Sequence, residues 1–244
     1  MNLIIDIGNS RTKCAIFSGK EMIESFFFPS ISVEQLKELK DRFPGTDKAI
    51  LSAVSSVDAK LEYFLKSEFS YFLKIDHQTP VPIQNKYKTP ETLGLDRLAA
   101  AVGANALFPD QDLLVIDAGT AITFDLVEKN GTFAGGNISP GLNCRFRALH
   151  EFTSRLPLVE ASDEWPQIGL STEDAIRAGV TTGMILEIEG MIELLRKNRP
   201  GLQAILTGGD ALFFERRLKS PIFVKFEITL IGLNRILEYN VEKQ

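Results

Sequence analysis

Two short turns carry the residues best suited to chemistry. Asp6-Ile7-Gly8-Asn9-Ser10, with Lys13 close behind, ends one apolar run, and Asp117-Ala118-Gly119-Thr120-Ala121 ends another. In each, a carboxylate at the end of a β run precedes small residues bearing hydroxyl or amide groups. A glycine in such a turn lets backbone N–H groups come close to an anion. Lys13 adds a point charge where the next run begins. This pattern suits a polyphosphate. Two carboxylates approaching one polyphosphate need a cation between them, because uncompensated like charges in a partly dry site cost on the order of several kcal/mol. Magnesium is the default partner of a nucleotide. Thr120 and Thr123 offer hydroxyls to phosphate or cation, and Asp125 is either a supporting group or an outward-facing one. Each turn alone is equally a hairpin whose Gly-Asn type suits positive φ; the recurrence favours phosphate.

The recurrence extends to the elements that must position these groups. Ala49-Ile50-Leu51-Ser52 resembles Ala204-Ile205-Leu206-Thr207, and Phe72–Asp76 resembles Phe223–Glu227, in the same order. Three ordered echoes predict a duplicated unit. Strands are expected at 2–7, 12–18, 22–28, 48–54 and 71–75, with helices at 33–42 and 57–69, the latter burying Leu61, Phe64, Leu65 and Phe69. Three consecutive strands followed by helix–strand alternation predict a mixed sheet covered by helices. Residues 76–92 read as a long loop, 93–108 as a helix, and 112–138 as a second three-strand opening. A short helix around 144–151 and an irregular stretch over 155–170 follow. Helices are expected at 171–183 and 184–197, with an interruption at 181–183. A strand at 203–207, a helix at 210–218, a strand at 222–226 and a helix at 229–240 close the second half.

Other stretches carry weaker signals. Gly94-Leu95-Asp96-Arg97 opens a helix, where Asp96 is either a first-turn carboxylate favoured by the dipole or a general base on a hydroxyl. Arg97 is either a solvated cation or a grip on an anion. Gly135–Gly141 and Thr207-Gly208-Gly209-Asp210 are tight turns or places of close ligand approach, with Asp210 a candidate N-cap. His77 and His150 have no partner at metal-ligand spacing. No P-loop, GxGxxG, HExxH or GxSxG pattern occurs.

Composition narrows the field. The 244 residues are 44% hydrophobic and 24% charged, an ordinary globular balance. A formal charge of −5 and a pI near 5.3 disfavour nucleic acid or an anionic membrane as partner. No run is long and apolar enough to span a bilayer, and no signal peptide is expected at the start. Cys14 and Cys144 are too few for a disulfide scaffold and read as small buried hydrophobes in a reducing, cytoplasmic setting.

DIGNSRTK at 6–13, NKYKTPETLGLDR at 85–97, DAGTAITFD at 117–125, GGNISPGL at 135–142 and TGGDA at 207–211 together resemble the type III pantothenate kinases of the acetate and sugar kinase/Hsp70/actin superfamily. The resemblance covers nearly the whole chain. It implies two duplicated RNase H-like/actin-like α/β domains, 1–110 and 111–244, each a mixed five-stranded sheet flanked by helices, with the active site in the cleft between them. It implies ATP-dependent phosphorylation of pantothenate, the first step of coenzyme A biosynthesis. Asp6, Ile7, Gly8, Asn9, Ser10, Arg11, Thr12, Lys13 and Thr120 would bind ATP, and Asp117 a monovalent cation, potassium or ammonium, alongside magnesium. Tyr87, Gly94, Leu95, Asp96 and Arg97 would bind pantothenate, with Asp96 the proton acceptor. Thr172 would reach pantothenate from a partner subunit, which implies a homodimer. A kinase of the superfamily with another acceptor, and a regulator related to a transcriptional accessory factor, are the alternatives. The 155–170 stretch, with Trp165, matches no motif.

Overall fold

The structure, a computed structural model, describes residues 1–9, 11–54 and 56–243. The run Leu3-Ile4-Ile5 is apolar on both faces, as a central strand covered on both sides requires. It forms β1 (Asn2–Ile7), followed by β2 (Thr12–Ser18), β3 (Glu21–Phe28), α1 (Val33–Arg42), β4 (Lys48–Ala53), α2 (Ala59–Glu68) and β5 (Tyr71–Lys74). The sheet order is β3-β2-β1-β4-β5, with β1–β2 and β2–β3 antiparallel and β1–β4 and β4–β5 parallel. Leu3, Ile5, Cys14 and Ile16 pack with Leu36 and Leu39 of α1 and with Leu61, Phe64 and Leu65 of α2. Ser32 caps α1 in a reciprocal capping box with Gln35.

The 76–92 loop is not wholly irregular. It contains β6 (Gln84–Asn85) and a 3-10 turn at Pro90–Thr92 before α3 (Leu95–Leu107). The second half repeats the opening with β7 (Leu113–Ala118), β8 (Ala121–Glu128) and β9 (Thr132–Pro140). Then come α4 (Leu142–Glu151), α5 (Thr172–Arg196), β10 (Gln203–Thr207), α6 (Ala211–Glu215), β11 (Phe223–Val224) and α7 (Ile228–Val241). The second sheet runs β11-β10-β7-β8-β9-β6, so it has six strands rather than the expected five. The sixth is β6, which the loop lends by pairing Gln84 with Thr132 and Asn85 with Phe133.

The expected interruption of α5 is absent: the helix is continuous for 25 residues. Ile176, Val180, Met184, Ile188 and Ile192 are all buried at four-residue spacing. That unbroken stripe outweighs the roughly 1 kcal/mol that each interior glycine costs a helix.

The chain divides into two compact units: residues 1–110, 130–133 and 227–244 in one, 111–129 and 134–226 in the other. The last helix therefore leaves the half in which the sequence placed it. Asn2 Nδ2 donates to Asn234 Oδ1 at 2.8 Å and to Glu238 Oε1 at 2.5 Å, and Asn234 Nδ2 donates to the Gly19 carbonyl at 2.9 Å. Ile228, Leu233, Ile236 and Leu237 of α7 are fully buried. At its crossing with α3 the backbones nearly touch. A Cβ on Gly232 would lie 1.8 Å from the Ala99 carbonyl oxygen, and one on Gly103 would lie 2.1 Å from that of Ile228.

Candidate active site

In the first unit, strand register places Asp6 of β1 opposite Lys13 on β2 and Ser52 on β4. Asp6 is only 6% exposed. Gly8 N–H donates to the Arg11 carbonyl at 3.1 Å and closes the turn. Among the described residues, neither Gly8 nor Asn9 has positive φ, so hairpin backbone geometry is not what calls for this glycine. Thr12 is buried, Arg11 is exposed with its guanidinium 5.6 Å from the Phe27 ring, and Asn9 is exposed. Ser10 lies outside the described residues.

The second unit repeats this arrangement. Asp117 of β7 is opposite Thr123 on β8 and Thr207 on β10, so Thr123 is the counterpart of Lys13 and Thr207 of Ser52. The turn is one residue tighter, with Gly119 N–H donating to the Ala121 carbonyl at 3.0 Å. Gly119 again has no positive φ. A Cβ there would sit 3.6 Å from Asp117 Oδ1, an ordinary contact distance, so space alone does not demand this glycine. Gly208, by contrast, has φ +98°, and a Cβ on it would lie 2.3 Å from the Ala118 carbonyl oxygen and 2.5 Å from Asp117 Oδ1. Only glycine can pass here. Gly141 presses equally closely on the second turn, where a Cβ would lie 2.0 Å from the Gly119 carbonyl oxygen. Thr120 itself is exposed.

The second unit also allows a test of whether its residues suit a cation. The Thr123 hydroxyl is buried and has no hydrogen-bond partner among the described residues, and Thr123 stands directly opposite Asp117 in the ladder. A hydroxyl left so costs about 1–3 kcal/mol unless a ligand engages it. A carboxylate and a hydroxyl oxygen on neighbouring strands are the hard donors that alkali and alkaline-earth cations take. The residues present fit a cation at Asp117. Asp125 is 1% exposed, which excludes the outward-facing reading. Asp210 occupies the N-cap position of α6 but makes no side-chain cap bond, and burial pushes its carboxyl above the usual carboxylate range.

The third cluster lies at the head of α3, in the first unit. Gly94 is its N-cap, and a Cβ there would lie 2.4 Å from Asp96 Oδ1. Asp96 Oδ1 accepts the Arg97 backbone N–H at 2.8 Å, which turns the carboxylate back along the first turn. Arg97 is only 8% exposed, and its guanidinium carbon is 5.7 Å from the centroid of the Tyr87 ring. Tyr87 packs at 6.1 Å against Phe133. Lys86 N–H donates to the Phe133 carbonyl at 3.0 Å, and Tyr87 N–H to Asn85 Oδ1 at 2.9 Å. The β6–β9 pairing thus brings a loop tyrosine to the helix that carries Asp96. Leu95 is half-buried at the first position of that helix.

Thr172, exposed, is the first residue of α5, whose cap is Ser171: its hydroxyl oxygen accepts from Asp174 N–H at 3.2 Å. Sequence reading missed Phe133, and it took Ser52 only as part of the echo and Thr207 only as part of a turn. The echo between Ala49–Ser52 and Ala204–Thr207 carries the signal for Ser52 and Thr207, whereas nothing local marks Phe133. Cys14 is buried, and burial raises its thiol pKa far above the ordinary range; Cys144 is exposed, contrary to expectation.

Comparison with known proteins bears on the chain as a whole. The family model of type III pantothenate kinase matches residues 2–194. A type III pantothenate kinase of Phocaeicola vulgatus is 49% identical over 98% of this chain and 99% of its own length. One from Flavobacterium johnsoniae is 38% identical over 99% of both. Among solved structures, a Campylobacter jejuni chain assigned to the Baf family of transcriptional activators superposes with a TM-score of 0.62 at 24% identity, covering 98% of this chain and 99% of that one. An activator of 2-hydroxyisocaproyl-CoA dehydratase from Clostridium difficile with bound ADPNP superposes at 0.54 and 14% identity, covering 99% and 96%. These two structures share the fold. No helix among the described residues is long and apolar enough to cross a membrane.

Proposed function

The chain belongs to the type III pantothenate kinase family, and from that premise we propose that it transfers the γ-phosphoryl group of ATP to the primary hydroxyl of pantothenate, the first step of coenzyme A biosynthesis. The observation that carries this reading is the family match over 2–194, within which every residue assigned a role here falls. Residues 6–13 and Thr120 engage the ATP phosphates. Lys13 supplies the point charge. Asp117, with Thr123 beside it in register, holds a monovalent cation. When bound, that cation and magnesium offset the negative charge of the phosphates and the carboxylates around them.

Tyr87 and Arg97 hold the carboxylate-bearing acceptor, with Gly94 and Leu95 shaping the approach. Asp96 orients the hydroxyl. As the hydroxyl oxygen bonds to the γ-phosphorus and the bond to the ADP oxygen breaks, Asp96 takes the released proton. Its Oδ1 is engaged by the Arg97 N–H, which leaves the other oxygen for the substrate. Phosphoryl transfer asks chiefly for such positioning and for charge neutralisation. Thr172 reaches the acceptor in a partner subunit. Ile168 and Leu170, 77% and 97% exposed just ahead of it, supply apolar surface suited to that homodimer.

Purified protein with magnesium and ATP should release ADP only when pantothenate is added, and release should rise several-fold when potassium or ammonium replaces sodium. No pantothenate-dependent ADP under any of these salts would overturn the reading and favour a regulator. Lys13→Ala should chiefly raise KM for ATP, about tenfold or more, as expected when a charge-assisted phosphate contact is lost. An unchanged KM for ATP would remove Lys13 from that role.

A further inference from the structure

Residues 155–170 carry no motif and, beyond α4, form neither helix nor strand, yet they are fastened closely to the second unit. Val159 is 4% exposed within its core. Arg177 Nε–H donates to the Glu160 carbonyl at 3.2 Å. Arg217 Nη2 donates to Asp163 twice, at 3.1 Å to the carbonyl and 2.8 Å to Oδ1. Trp165 Nε1–H donates to Thr182 Oγ1 at 3.0 Å. Gly169 lies directly on the first turn of α5, where a Cβ would come within 2.2 Å of Ala175 N.

Arg217 is the centre of this set. Its guanidinium carbon is 3.9 Å from the Phe213 ring centroid and 5.2 Å from that of Trp165. The two rings are inclined by only 25°, with centroids 6.2 Å apart. Phe213 meets Phe214 edge-on at 5.2 Å, and Phe214 is fully buried. The Arg217 side chain is only 14% exposed, so its cation–π contacts lie largely out of water, where they are strongest, whereas the Asp163 side chain it binds is 85% exposed and that ion pair adds less. A residue just past α6 thereby holds Trp165, seven residues ahead of Thr172.

We propose that Arg217, Trp165 and Phe213 form a positioning clamp that sets where the start of α5 presents Thr172, and so governs affinity for the acceptor rather than the rate of phosphoryl transfer. This rests on the assignment of Thr172 to the acceptor. Without the clamp, residues 163–170 lose their bonds to Arg217 and the ring contacts that hold Trp165, and the threonine they lead to must be ordered each time the acceptor binds.

Trp165 is the only tryptophan in the chain, so its fluorescence reports on the clamp alone. Arg217→Ala should move the emission of the substrate-free protein to longer wavelength. It should raise KM for pantothenate about tenfold, the order expected for losing a part-buried cation–π and charge-assisted contact, with kcat and KM for ATP within about twofold of the parent. Arg217→Lys, which keeps the charge, should recover part of the loss. Thr182→Val, nearly the same shape, should give a smaller rise by removing only the acceptor of the indole N–H, and it covers the case in which Arg217→Ala does not fold. A red shift with both KM values unchanged would mean the clamp is structural only, and an unshifted emission would mean it does not form; either overturns the proposal. Failure of the parent protein to use pantothenate is seen before any variant is made. That result would bring down the functional reading, and this one with it.

Discussion

Asp96→Asn should lower kcat by about 10²–10⁴-fold, the range that a positioned general base contributes. The substitution preserves shape. The Asn oxygen can still accept the Arg97 N–H that Asp96 Oδ1 takes at 2.8 Å, so the side chain should stay turned along the first turn of α3. Its other end is then an NH₂ group facing the acceptor, and that group cannot take a proton. ATP binding, measured by titration calorimetry in the absence of pantothenate, should change little. Turnover within tenfold of the parent would remove Asp96 from the base role. A parallel loss of ATP affinity would instead assign its carboxylate to the nucleotide.

Gly232→Ala should lower the melting temperature by about 6–12 °C. Propensity alone argues the opposite, because an alanine in mid-helix is favoured over glycine by roughly 1 kcal/mol. The contact decides the sign: the new Cβ would fall 1.8 Å from the Ala99 carbonyl oxygen, a backbone atom with no rotamer to escape into. Overpacking of this kind costs about 1–3 kcal/mol, more where backbone must separate. A gross cost of about 4 kcal/mol, less the propensity gain of about 1, leaves about 3 kcal/mol, which corresponds to that shift at roughly 2–4 °C per kcal/mol for a chain of this size. Calorimetric or fluorescence melting checks it, and an unchanged or raised melting temperature would mean the α3–α7 crossing is looser than its geometry implies. Because α3 also carries Asp96, the variant should lose activity on warming before the parent does.

Much of this protein is legible without coordinates. The central strands read correctly because Leu3–Ile5, Leu113–Ile116 and Ala204–Leu206 are apolar runs of strand length bounded by turn residues, and local burial is what such runs report. The paired aspartates were visible because duplication leaves its trace in the order of residues. Strand register then aligned Asp6 with Lys13 and Ser52, and Asp117 with Thr123 and Thr207, a correspondence that the echo implied but could not draw. The catalytic role proposed for Asp96 comes from resemblance, since one carboxylate at a helix start has a purely electrostatic explanation as well.

Other features depended on partners far away in sequence. The stripe from Ile176 to Ile192 keeps α5 whole across Gly183 because a core waits along its full length. Gln84–Asn85 become a strand only because Thr132–Phe133 offer an edge. Trp165 means little until Arg217, 52 residues on, lies over its ring. The last helix shows this most plainly: its apolar face was evident, but nothing in residues 228–241 says which unit that face will cover. Asn2 and the small residues of α3 decide it, through a buried amide pair and a backbone contact that a single methyl group would prevent. Periodicity records that a face must be hidden from water; which surface hides it is set by shape and polar complementarity between segments that meet only once the chain has folded.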